Sequence, residues 1–163
     1  MKVFLSHALA PWDATIAARL RAVAAAYDII ILLPDRSRPF TNGLITETSQ
    51  NISESEAVIA LVTKNASESG LQFVNYELQV ASQQQKPIIG LIEIGTVEFR
   101  AGPGTQVVPF DRSEPVGHEA KLMNALDQIR QQKSKSNLTA LGWIVGIALG
   151  LVALGSLVGE KTE

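Results

Sequence analysis

Short runs of consecutive apolar residues, each separated from the next by a helical pattern, constrain this chain more than any other feature. Val3-Phe4-Leu5 is the first, and it ends at Ser6-His7. Ile29 to Leu33, Val58 to Val62 and Ile88 to Ile92 follow, with Val107-Val108-Pro109-Phe110 as a weaker fifth. Between them, Ile16, Leu20, Val23 and Ala24 repeat at helical spacing, and helices are expected over about 44–53, 72–84 and 118–131. A strand that is apolar throughout, rather than alternating, is covered by helices on both of its faces. The pattern therefore predicts an α/β fold, a doubly wound and mostly parallel five-stranded sheet flanked by helices.

A second feature lies beyond that pattern. Residues 138–159 contain no charged side chain, and only Thr139 and Ser156 are polar. A helix over this run spans roughly 33 Å, against a bilayer hydrocarbon core of about 30 Å. A transmembrane helix is expected there, joined by a polar linker (132–137) to an α/β domain (1–131) and followed by a short tail (160–163). Arg130, Lys133 and Lys135 precede the span and Glu160, Lys161 and Glu163 follow it, so the domain is expected in the cytosol. The first residues turn polar too soon for a secretory signal peptide, which also disfavours a lipid-anchor signal at the C-terminus. Gly142, Gly146 and Gly150 recur every four residues, the spacing that lets membrane helices approach closely and self-associate.

Composition removes several kinds of chemistry. With no cysteine, disulfides, thiolate nucleophiles and zinc–thiolate sites are excluded. Two distant histidines offer no metal-ligand spacing, so no metal is expected. A net charge of −2 gives no footprint for nucleic acid. No glycine-rich phosphate fingerprint follows the first strand.

Ligands of an open parallel sheet bind outside the carboxyl ends of its strands. Ser6 and His7, Asp35 and Arg36, Thr63 to Ser67, and Glu93 occupy those ends, with Glu93 expected to be structural. In the helix after the third strand, Val74, Leu78 and Ala81 fall on one face and should meet the sheet. Phe73 and Glu77 are four apart, about 100° around from that face. Glu77 is therefore expected at the rim of the core, as a solvated helix glutamate or as a carboxylate offered to the crevice.

Three blocks carry a resemblance to a known family. Val3-Phe4-Leu5-Ser6-His7-Ala8, Ile52 to Thr63, and Asn65-Ala66-Ser67 through Phe73-Val74-Asn75-Tyr76-Glu77-Leu78 stand in the order and spacing of bacterial Toll/interleukin-1 receptor (TIR) domains. The chain resembles that family over roughly residues 2–130, with Phe73 where the family usually has Trp. The resemblance implies a flavodoxin-like sheet and cleavage of NAD⁺ at the nicotinamide–ribose bond, with Glu77 as the catalytic carboxylate. It implies NAD⁺ contacts from Ser6, His7 and Phe73, and matches Pro34 to Gly43 to a gating and assembly loop, where Arg36 and Arg38 are candidate phosphate contacts. NAD⁺ would be substrate, and no further cofactor is implied. The expected protein is a single-pass protein of a bacterial inner membrane that self-associates through its TIR domain and its helix, in stress or antiphage signalling. The alternative is a non-catalytic TIR scaffold whose clustering drives signalling or membrane disruption.

Overall fold

The computed structural model describes residues 1–8, 14–36, 42–96, 102 and 104–135. Nine elements follow one another: β1 (Lys2–His7), α1 (Ala14–Ala25), β2 (Ile30–Leu32), α2 (Asn42–Glu54), β3 (Ala57–Val62), α3 (Glu68–Gln83), β4 (Ile88–Glu93), β5 (Gln106–Phe110) and α4 (Pro115–Lys135). All strand pairs are parallel, in the order β2-β1-β3-β4-β5. The expected doubly wound five-stranded sheet is thus formed, in the 2-1-3-4-5 order of flavodoxin-like sheets.

Strand alternation sorts the core into two layers. Val3 and Leu5 of β1 join Leu20 and Ala24 of α1 and Leu122 and Leu126 of α4 on one face. Phe4 points the other way, into a cluster with Ile52 of α2 and Val80 and Ala81 of α3. Ser6 lies two residues beyond Phe4, so the pleat turns it toward α3 as well. β3, between β1 and β4, is buried along its whole length, which is why its sequence is apolar at every position.

Two helices close without glycine: α1, after which β2 begins one residue later than its apolar run, and α3, which ends within a residue of its expected end. After α1, the Ile29 N–H reaches the Ala24 carbonyl (3.0 Å) and the Asp28 N–H the Ala25 carbonyl (3.2 Å), with Asp28 at φ 55°. This is a Schellman closure, and it delays β2 to Ile30. The same closure ends α3, with Gln85 at φ 53° and the Lys86 N–H on the Ala81 carbonyl. α4 continues to Lys135, so four residues assigned to the polar linker (132–135) are helical. An ion pair from Lys133 to Glu56 (3.0 Å) and a bond from Ser134 Oγ to the Arg130 carbonyl (3.1 Å) hold that last turn. No helix among the described residues is long and apolar enough to cross a membrane, and the expected span, 138–159, lies outside them.

Candidate active site

The chain reverses its direction across the sheet between β1 and β3, because β2 lies outside β1 and all later strands follow β3. The crevice at the carboxyl ends of these two strands is where such sheets bind ligands. α3 leads into it. Its Ser67 N-cap accepts from the Gly70 N–H (3.1 Å), a start signal that places the helix start before Gln72. A Cβ built on Gly70 would lie 3.0 Å from the Ala8 Cβ and 3.2 Å from its Cα, so glycine lets the first turn of α3 rest against the end of β1 more closely than a side chain would. Two turns later the same helix carries Glu77.

Beneath α3, Ser6 of β1, Ala60 of β3 and Gly90 of β4 share one register across three neighbouring strands. This row of small residues makes room on the sheet for a side chain from above. Glu77 lies among these buried residues, not at the rim of the core where the sequence puts it: it is 1% exposed. The solvated-glutamate reading is therefore overturned.

A carboxylate so buried has to be compensated. Ser6 Oγ donates to Glu77 Oε2 at 2.5 Å. Arg36, just past β2, reaches across the end of β1 and donates through Nη1 to Oε1 (2.9 Å) and through Nη2 to Oε2 (2.8 Å). Its Nη2 also donates to the His7 carbonyl (3.1 Å), which anchors the guanidinium over β1. The Phe73 ring, one helical turn before Glu77, lies 4.8 Å from the guanidinium carbon. Phe73 and Glu77 thus form one strip of α3 against which Arg36 rests.

Burial pushes the Glu77 carboxyl above its ordinary range, against the opposing pull of Arg36 and the Ser6 hydroxyl. Burial, and then the charge of Arg36, lower the His7 imidazole to about 4, so it is neutral at pH 7. Of the residues singled out in sequence, Ser6, His7, Arg36, Phe73 and Glu77 are brought together. Arg38 lies outside the described residues. What sequence reading missed is that Arg36 pairs with Glu77 itself. A strand-end arginine and a helix carboxylate, both expected near one crevice, were the available signal.

Glu93, at the end of β4, has a different role. Arg112 grips it at 2.6 and 2.8 Å and the Lys64 N–H donates at 2.7 Å. Burial raises its pKa, but these partners outweigh it and hold the carboxyl below its usual value. It ties the ends of β3, β4 and the turn after β5, in accord with a structural role. A separate groove of about 610 Å³ between α2 and α3 is lined by Ser49, Gln50, Tyr76, Gln79 and Gln84 among others. Among the described residues that line it there is no carboxylate, imidazole or amine. Among the described residues no three His, Cys, Asp or Glu side chains gather as a metal site.

Neither a family model nor a curated protein matches the chain. Solved structures do. A 2-deoxyribosyltransferase from Bacillus psychrosaccharolyticus is similar with a TM-score of 0.52 at 11% identity, over 73% of this chain and 90% of that one. Clostridium botulinum CMP N-glycosidase is similar with a TM-score of 0.51 at 18% identity, over 75% and 98%. This likeness shows the fold.

Proposed function

We propose that this protein cleaves an N-glycosidic bond of a nucleotide, and that its substrate is NAD⁺. The observation that carries the reading is the Glu77 carboxylate, buried at the switch point of the sheet with Ser6, Arg36 and Phe73 around it. Two structurally similar proteins, the 2-deoxyribosyltransferase and the CMP N-glycosidase, are named for work on nucleosidic bonds, which supports the broader class. The TIR-like blocks in the sequence favour NAD⁺ within it.

The chemistry needs little more than this site. When the C1′–N bond of NAD⁺ breaks, the electron pair leaves with nicotinamide, which departs neutral and needs no general acid. Positive charge develops at C1′ and the ring oxygen, and a buried carboxylate opposes it strongly. Water then adds at C1′ and passes a proton to Glu77, whose raised pKa makes it the better base. Phe73 supplies an apolar wall, and Arg36 a contact for phosphate.

The protein acts, on this reading, as a membrane-anchored TIR-like domain gathered by its glycine-spaced helix. α4 runs back to the amino ends of the strands, where Arg130 donates to the Tyr27 carbonyl (3.5 Å) and Lys133 pairs with Glu56. The end of α4 thus lies at the edge opposite the crevice. A non-catalytic scaffold is favoured by one observation: Arg36 fills both oxygens of Glu77, as a purely structural ion pair does. A substrate panel separates the two. Clustered full-length protein is expected to release nicotinamide from NAD⁺, and no base from CMP or deoxynucleosides; a blank across the whole panel selects the scaffold.

A further inference from the structure

We infer that Arg36 is a specificity residue exchanged between two anions, pairing with Glu77 at rest and passing to the substrate's phosphate on binding. The inference rests on the N-glycosidase reading for its substrate, but not for the exchange itself. In the resting arrangement Oε2 of Glu77 accepts two hydrogen bonds, from Ser6 and from Arg36, and Oε1 accepts one from Arg36. Three of the four in-plane acceptor positions of the carboxylate are thus taken, two of them by the guanidinium, so both oxygens cannot hold a pair of ribose hydroxyls until the guanidinium moves. The two partners differ in access: the Arg36 side chain is 23% exposed and the Glu77 side chain 1%. An incoming ligand therefore meets the arginine first.

Moving Arg36 away alone is strongly unfavourable, because it strands a buried negative charge. The exchange is most favourable when the ligand compensates both halves of the broken pair, and an anion alone drives it only at high concentration. Phosphate oxygens take the guanidinium fork, which fits them as well as it fits a carboxylate. A positive charge at or near C1′ takes the place of the guanidinium opposite Glu77. A neutral nucleoside supplies neither charge, and an ordinary nucleoside monophosphate only the anion. A pyridinium ribonucleotide carries both, several ångströms apart. The closed pair thus selects zwitterionic substrates and shields the carboxylate from neutral ones.

Competition between Glu77 and phosphate for one arginine is a thermodynamic statement, and it can be read without turnover. Calorimetry with inorganic pyrophosphate as the probe is carried out on full-length protein in nanodiscs. Glu77→Gln, which removes the competing charge, is expected to bind pyrophosphate about tenfold more tightly than wild type, and Arg36→Ala about tenfold more weakly. An unchanged or weaker affinity in a folded Glu77→Gln protein overturns the exchange. Should that variant not fold, wild type labelled at its glutamate carboxyls serves: a buried carboxyl resonance must move as pyrophosphate saturates, and no movement overturns the inference. The second arm uses nicotinamide riboside, which lacks phosphate. Wild type is expected to cleave it about fivefold faster with pyrophosphate present, and Arg36→Ala to show no such stimulation. An affinity gain in Glu77→Gln without nicotinamide release from any substrate supports the exchange and overturns the N-glycosidase reading. Release without the gain does the reverse.

Discussion

His7 and Glu77 sit on either side of one arginine, and their titrations work in opposite directions on stability. The unfolded chain protonates His7 near its ordinary value of 6.5, the folded chain only near 4. Between those values the unfolded state binds more protons, so the His7 contribution is complete above pH 6.5 and is lost as pH falls toward 4. A shift of that size corresponds to roughly 3 kcal/mol. Urea unfolding at pH 7 and pH 4.5 is expected to show a smaller loss in His7→Gln than in wild type. Equal losses would contradict the burial of the imidazole. Glu77 has its pKa raised, so the folded state holds its proton longer and stability declines as pH rises through its titration. The candidacy of both residues was visible from their places at a strand end and on a helix. Their environment was not, because burial depends on what a side chain meets across the sheet. The row Ser6, Ala60 and Gly90 comes from three separate strands, and only register aligns it.

α3 is the element that builds the site, and its position depends on its first turn. Val74 and Ala81 were legible as the buried face from their spacing, and both are buried. The helix start was missed, because Ser67 lies among several other small polar residues that cap equally well in isolation. The end of α3 was legible to within a residue, expected at about Gln84 and found at Gln83, whereas no glycine announces the closure at Asp28 that ends α1. Gly70→Ala tests how tightly the first turn is held. A methyl group there meets the Ala8 Cβ at 3.0 Å and its Cα at 3.2 Å, atoms that move only with the backbone at the end of β1. The strain of about 1–3 kcal/mol outweighs a helix-propensity gain of about 1 kcal/mol. The variant is expected to unfold at lower urea and to lose about tenfold in glycoside cleavage as Glu77 shifts. A variant more stable than wild type and fully active would show that α3 is free to move.

At the scale of the molecule, five apolar runs were enough to reveal a parallel sheet, since a strand covered on both faces has no polar side to show. The pairing of Arg36, just past β2, with Glu77 of α3 was beyond such reading, because residues 41 positions apart meet only once the strand order is known. The sheet orients the protein as well: the crevice opens at its carboxyl edge and α4 ends at the other. Full-length protein is expected to sediment with membranes and resist high salt, whereas a chain ending at Lys135 stays in the supernatant. Full-length protein in the supernatant would remove the anchor. The most direct test of the central claim is the rate of nicotinamide release from NAD⁺ by clustered wild type and by Glu77→Gln, each shown to be folded. The account predicts release by wild type and a rate at least about a hundredfold lower in the variant. Equal rates, or release by neither, would contradict it.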